Sequence, residues 1–395
     1  MYDIVVKSGK VVDPSQGIYE EMDVGISGNR IQDVEHRISD GNAREVLDAT
    51  GKIVTAGFVD LHAHAAVDIV RLGVDPDSSC LLKGTTCAVD AGSTGELLFH
   101  AFRKYVIEKA TARVFAFLNI ESLGMIEYLE LPPDNTDQRW AKLLTAIDEL
   151  YVPFFINVDR TLQVIKENVD VVVGIKWAHH GIKGMGYARE VCDRAGCVLM
   201  IENLFMPQAL KYVKKGDIVT HIYHNYPNPT TNERDGMLSV EGKVLPEFFE
   251  AVKQGVILDL GHGKGSFSWK VCEVAMREGL PPTTISTDLW SANLAGPVYD
   301  LPTTMSKLLH LGMSLEEVIK ASTWTPAVAI KRGEELGTLR PGAFADLTIS
   351  KIAEGKFPLQ DCYGEARMGS RRFDPTDVVS NGKIVLKRRE SVVYS

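Results

Sequence analysis

Gly57-Phe58-Val59-Asp60-Leu61-His62-Ala63-His64 is an apolar run that delivers two histidines at its end. Side chains alternate along a strand, so residues i and i+2 point the same way, and His62 and His64 can grip one ion. Neutral imidazole is the commonest metal ligand. Alone, such a pair could equally be two polar residues where a strand meets solvent, so the rest of the chain must decide. Working outward, further apolar runs of strand length fall at 86–89, 114–120, 171–175, 198–201, 218–220, 256–260 and 284–286. Helical periodicity separates them, at 161–168 after an Asp159 cap, 187–195, 206–212 and 269–278 ending at Gly279. Eight strands alternating with helices predict a distorted (β/α)8 barrel over 57–336. A doubly wound sheet is the alternative, since periodicity does not report closure. Polar residues at the ends of several strands favour the barrel, where such ends converge on one face.

The two chain ends read differently. Short alternating strands run from Tyr2 to Val54, with Ser27-Gly28-Asn29 as a hairpin turn, and again from Ala345 to Leu386 around Asn381-Gly382. Together, 1–56 and 337–395 predict one small β-sandwich domain built from both termini.

Several strand ends carry residues that suit the same ion. Val171-Val172-Val173-Gly174-Ile175-Lys176 closes a β-branched strand with a lysine. Lys176 either reaches out to water or, buried, has its pKa lowered and takes up CO2 as a carboxylated lysine able to bridge cations. His221 ends Asp217-Ile218-Val219-Thr220, and His224 follows. Asp288 ends Thr284-Ile285-Ser286-Thr287; it reads either as a helix cap or as the carboxylate that moves protons for an attacking water. His262 lies between Gly261 and Gly263 at the seventh strand end and is read as a catalytic group. On the loops above the barrel, His179, His180, His224 and Asn225 are candidate substrate contacts.

Taken together, these residues resemble the amidohydrolase superfamily. Val173-Gly174-Ile175-Lys176, Gly261-His262-Gly263 and Ser286-Thr287-Asp288-Leu289 are similar to its amidohydrolase/deacetylase branch, whose members act on N-acetyl amides or acetyl esters of small acids. Ala321-Ser322-Thr323-Trp324-Thr325-Pro326 and Gly337-Thr338-Leu339-Arg340-Pro341-Gly342 carry the resemblance toward the end of the chain. It implies His62 and His64 as ligands of a first metal, carboxylated Lys176 as bridge, His221 as a ligand of a second, and Asp288 as both ligand and proton shuttle. One position departs from the pattern. Glu202 stands in Val198-Leu199-Met200-Ile201-Glu202-Asn203, where the family carries histidine. Glu202 itself binds the second metal, or that site is empty, or His224, His179 or His180 substitutes. The expected cofactor is one or two divalent ions, zinc first; a carboxylate in place of imidazole also admits manganese or iron.

Composition narrows the partners. With 395 residues and a formal charge of −9, the chain offers no basic excess for nucleic acid. Met1-Tyr2-Asp3 lacks the positive flank of a signal peptide, and no run of 18 apolar residues occurs, so neither secretion nor a membrane span is expected. Six cysteines without a CxxC pair predict reduced thiols in a cytoplasmic protein. A small-molecule substrate and a homo-oligomer complete the expectation. Lys183, Arg234 and Lys264 are the cations nearest the mouth that could meet a substrate carboxylate.

Overall fold

The computed structural model describes residues 1–125, 155–178, 182–224, 226–227 and 234–388. Five strands open the chain: β1 (Tyr2–Asp13), β2 (Ile18–Ser27), β3 (Arg30–Glu35), β4 (Ala43–Asp48) and β5 (Ile53–Ala56). The barrel strands are β6 (Phe58–Ala63), β7 (Thr85–Ala91), β8 (Arg113–Asn119), β9 (Val172–Trp177), β10 (Val198–Ile201) and β11 (Ile218–Val219). A two-stranded ladder, β12 (Tyr226–Pro227) with β13 (Arg234–Asp235), precedes the last barrel strand, β14 (Ile257–Leu258). The end of the chain forms β15 (Leu347–Gln360), β16 (Ala366–Ser380) and β17 (Lys383–Lys387).

The barrel strands pair in parallel in the order β14-β11-β10-β9-β8-β7-β6. No regular strand forms at 284–286, unlike the sequence expectation, yet the backbone there closes the barrel. On one side, the amides of Leu260, His262 and Gly263 donate to the carbonyls of Thr284, Ser286 and Thr287. On the other, the Asp288 amide donates to the His62 carbonyl at 2.6 Å and the His64 amide to the Leu289 carbonyl at 2.9 Å. The segment is irregular because Asp288 has φ 48°, the left-handed region, which interrupts strand geometry. Inside the barrel, Val59, Leu61, Val89, Phe117, Val198 and Met200 belong to one buried cluster.

Strands from both ends join in one sheet, ordered β17-β16-β15-β5-β1-β2-β3, with β4 paired to β1. It curls over a core that includes Val6, Val24, Ile26, Val54, Leu347 and Val379. Its β3 edge returns to the segment before β15, where the Ile31 amide donates to Ala343 and the Ala345 amide to Asn29. This burial of alternating Val and Ile on one face is what two short-stranded termini need in order to fold together. The barrel helices include Val158–Glu167, Ile182–Ala195, Trp269–Arg277 and Leu301–His310. The first is capped by Asn157, whose side chain accepts from the Arg160 amide, rather than by Asp159. The expected helix at 206–212 is a short 3-10 turn, Gln208–Tyr212. Among the described residues, no helix is long and apolar enough to cross a membrane.

Candidate active site

The strand ends bring His62, His64 and Asp288 together, with ligand atoms all within 4.8 Å of one another. Asp288 Oδ1 stands 3.0 Å from His64 Nε2 and 3.3 Å from His62 Nε2. Lys176 Nζ lies 3.5 Å from His62 Nε2 on one side and 3.5 Å from Glu202 Oε1 on the other. His221 Nε2 is 3.8 Å from Glu202 Oε1 and 4.0 Å from Asp288 Oδ2. Six side chains from β6, β9 and the ends of β10, β11 and the closing segment thus converge on one small volume, all of them buried.

The hydrogen bonds around the histidines settle which ring nitrogen faces that volume. Thr220 Oγ1 donates its single proton to Asp259 Oδ2 at 2.7 Å, so toward His62 Nδ1, 3.1 Å away, it can only accept. Ser93 Oγ likewise donates to Asp90 Oδ2 at 2.7 Å and accepts from His64 Nδ1 at 2.9 Å. His221 Nδ1 donates to the Gly261 carbonyl at 2.6 Å. All three rings therefore carry a proton on Nδ1 and turn Nε2 inward, the nitrogen that would hold a metal once it is free of a proton. The donor set fits a divalent cation: imidazole nitrogens and carboxylate oxygens without thiolate.

Lys176 is fully buried. Burial lowers its pKa, against the opposing pull of Glu202, Asp288 and Asp259. An amine held here is nearer its neutral, nucleophilic form than a surface lysine. His221 and Asp288 both occupy the left-handed region, at φ 65° and 48°. Such backbone costs on the order of 1 kcal/mol for a non-glycine residue and is characteristic of functional sites.

Three buried carboxylates escaped the sequence reading. Asp90 and Asp259 support His64 and His62 through the hydroxyls just described, and burial pushes both carboxyls up. Asp259 also accepts from Thr284 Oγ1 and Ser286 Oγ, each at 2.6 Å. Asp60 accepts from Thr287 Oγ1 at 2.5 Å and from the Thr287 and His62 amides, tying β6 to the closing segment. Burial pushes Asp60 up to about 7. The signal was present in each strand: an aspartate among apolar β-branched residues needs buried partners. Replacing Asp90 or Asp259 with Asn should free the hydroxyl proton, loosen the tautomer and weaken metal binding about 10–100-fold. Competition against a chelating dye measures this; affinity within twofold of the wild type would contradict the arrangement.

Gly261 holds the turn behind His221. At φ 49°, a Cβ there would collide with Thr220 Oγ1 and stand 2.8 Å from His221 Nδ1. Gly261→Ala should therefore displace both groups and cost roughly 1–3 kcal/mol, the range for overpacking. Thermal unfolding reads the loss, and an unchanged midpoint would argue against this packing.

Of the remaining sequence candidates, His262, His224 and Lys264 lie among the described residues. His262, read as catalytic, is fully buried with both ring nitrogens engaged. Its Nε2 is 2.7 Å from Lys307 Nζ and its Nδ1 2.9 Å from the Gly263 carbonyl, while the ring stacks on Phe267. Both ring nitrogens are thus held by contacts within the fold. From its strand end the ring meets a helix 45 residues later in the chain. His224 is buried, and desolvation first, then His221, lowers its pKa to about 3, so it is a neutral ring. His179, His180 and Asn225 lie outside the described residues, as do the side chains of Lys183 and Arg234. Lys264 is exposed, its Nζ 5.9 Å from the centre of the Trp290 ring.

Known proteins share this architecture over nearly the whole chain. A deacetylase of Brucella anthropi is 32% identical across 87% of this chain and 83% of its own length. The chain belongs to the amidohydrolase family. The amidohydrolase family profile matches residues 269–385 directly. The crystal structure of an adenine deaminase is similar with a TM-score of 0.85 and 29% identity, covering 98% of this chain and 100% of that one. A dihydroorotase structure follows at a TM-score of 0.81 and 28% identity, with the same coverage. The amidohydrolase chain is a hydrolase, and the family typically binds a divalent metal.

Proposed function

We propose that this amidohydrolase cleaves the amide or ester bond of a small N-acyl or O-acetyl compound. The carrying observation is the convergence of three inward-facing imidazoles on Asp288, Lys176 and Glu202. The deacetylase among the relatives supports the acyl class.

His62 and His64 would hold one cation and Glu202 with His221 a second, with Asp288 beside both and Lys176 between them. Glu202 takes the place of the histidine that the family pattern carries, and its carboxylate adds negative charge to a cationic site. Lys176 would act as a bridge after carboxylation: its nitrogen lone pair forms an N–C bond to CO2, one C=O π pair moves to oxygen, and the ammonium proton leaves to water. The resulting carboxylate offers two oxygens where the free amine offers one nitrogen. Zinc is the expected ion, with manganese or iron admitted by the oxygen-rich half. Divalent cations, when bound, supply a water that ionises near pH 7 and an electrophilic pull on a carbonyl oxygen.

The chain's own residues carry the proton. Asp288 accepts it from the attacking water and returns it to the departing nitrogen or oxygen. Its left-handed backbone and the 2.6 Å bond from its amide to the His62 carbonyl aim the carboxylate across the site. Asn293 Nδ2 donates to the Asp288 carbonyl at 2.7 Å and steadies the following turn. Burial of all six groups keeps bulk water from competing for these contacts.

A substrate panel with chelation tests the reading. N-acetyl amino acids and acetyl esters of hydroxy acids should release acetate. Activity should vanish with a chelator and return with added zinc or manganese. Ammonia from adenine, or ring opening of cyclic imides, would instead place the chain with the deaminase or dihydroorotase activities of its structural neighbours. Turnover that survives full chelation would overturn the proposal.

A further inference from the structure

A second buried lysine lies behind the site. Lys307, in helix Leu301–His310, has no solvent exposure. Its Nζ makes two contacts of 2.7 Å, one to the Pro297 carbonyl and one to His262 Nε2. A carbonyl only accepts. His262 Nδ1 faces the Gly263 carbonyl and so must carry the ring proton, which leaves Nε2 as an acceptor too. Both acceptors are met by N–H groups of the one amine, which burial lowers to about 7. Among the described residues no carboxylate is ion-paired with it. Burying a lysine against two acceptors is costly and is hard to account for by packing alone.

What Lys307 holds is the turn 261–263. The Gly261 carbonyl accepts from His221 Nδ1, and a Cβ on Gly263 would lie 2.5 Å from Asp288 Oδ2. The turn is therefore wedged between two groups of the candidate site. Cys362, from the hairpin between β15 and β16, seals it from behind, with Sγ 3.5 Å from the His262 carbonyl and 3.4 Å from that of Gly263.

We propose that Lys307 is a positioning residue: it locks His262 as the Nδ1–H tautomer, clamps the 261–263 turn to Pro297, and through that turn orients His221 and Asp288. The proposal rests on the assignment of those two residues to the active site. Lys307→Met keeps an unbranched apolar arm one atom shorter and removes the donors; Lys307→Gln, also one atom shorter, keeps two N–H groups. Full-length protein with 15N-labelled histidine, freed of metal by chelation, reports each tautomer through long-range 1H–15N correlations. In the wild type His262 and His221 should both appear as Nδ1–H. In Lys307→Met, His262 should become a mixture of tautomers and the His221 resonances should move, with Lys307→Gln between the two. Zinc titration should then show at least a tenfold weaker response at His221 in Lys307→Met, with that of His64 unchanged. His221 resonances that coincide in the three proteins, with zinc affinities within twofold, would overturn the proposal. If Lys307→Met does not fold, Lys307→Gln against the wild type decides by the same criteria. Failure of the metal-site reading looks different: wild-type histidines would not respond to zinc, and the His221 comparison in chelated protein would still decide the role of Lys307.

Discussion

Asp288→Asn should lower kcat by about 10²–10⁴-fold, the range for loss of a general acid–base, while the protein keeps its metal. The substitution preserves size and leaves one oxygen beside His62 and His64, 3.3 and 3.0 Å from their Nε2 atoms. Asparagine also tolerates the left-handed backbone that Asp288 adopts, so the barrel closure at the His62 carbonyl survives. What is lost is the ability to take a proton from water and hand it to the leaving group. Steady-state kinetics with elemental analysis of the same sample reads both halves. A variant within tenfold of wild-type kcat would remove Asp288 from the proton path.

Lys176→Ala should be as severe, with a loss on the order of 10³-fold from failure to assemble the cations that activate water. Lys176 Nζ stands between His62 and Glu202 at 3.5 Å from each, so truncation separates the two halves of the site. It also leaves a buried cavity the length of a lysine side chain, facing imidazoles and cations. A small carboxylic acid such as acetate or propionate fits that space and replaces the missing oxygens, so adding one should restore part of the activity. Lysine acting only as an ammonium partner of Glu202 predicts the opposite: no rescue by carboxylates, and some rescue by short alkylamines.

Much of the barrel was legible because its cause is local. Alternating Val, Ile and Phe with helical spacers marks strands wherever tertiary context agrees, and β6 through β11 fall where the apolar runs lie. The eighth segment was less regular than its sequence, since Thr284-Ile285-Ser286 leads straight into the left-handed Asp288. The candidate ligands were visible for the same local reason: each ends a strand. Their supports were not. Thr220 meets Asp259 across 39 positions and Asp60 meets Thr287 across 227, and no short window contains such a pair. His262 was legible as a strand-end histidine, but its contact with Lys307, 45 residues away, was not. Position along a strand places a side chain near the mouth; only packing decides which way it faces.

The central claim is that six side chains hold two cations joined through a carboxylated Lys176. Crystals grown with zinc and bicarbonate, with anomalous diffraction recorded at the zinc edge, test it most directly. The account predicts two anomalous peaks, one beside His62 and His64 and one beside Glu202 and His221, with carboxylate density continuing from Lys176 Nζ. Zinc bound elsewhere, with Lys176 an unmodified amine against Glu202, would contradict it.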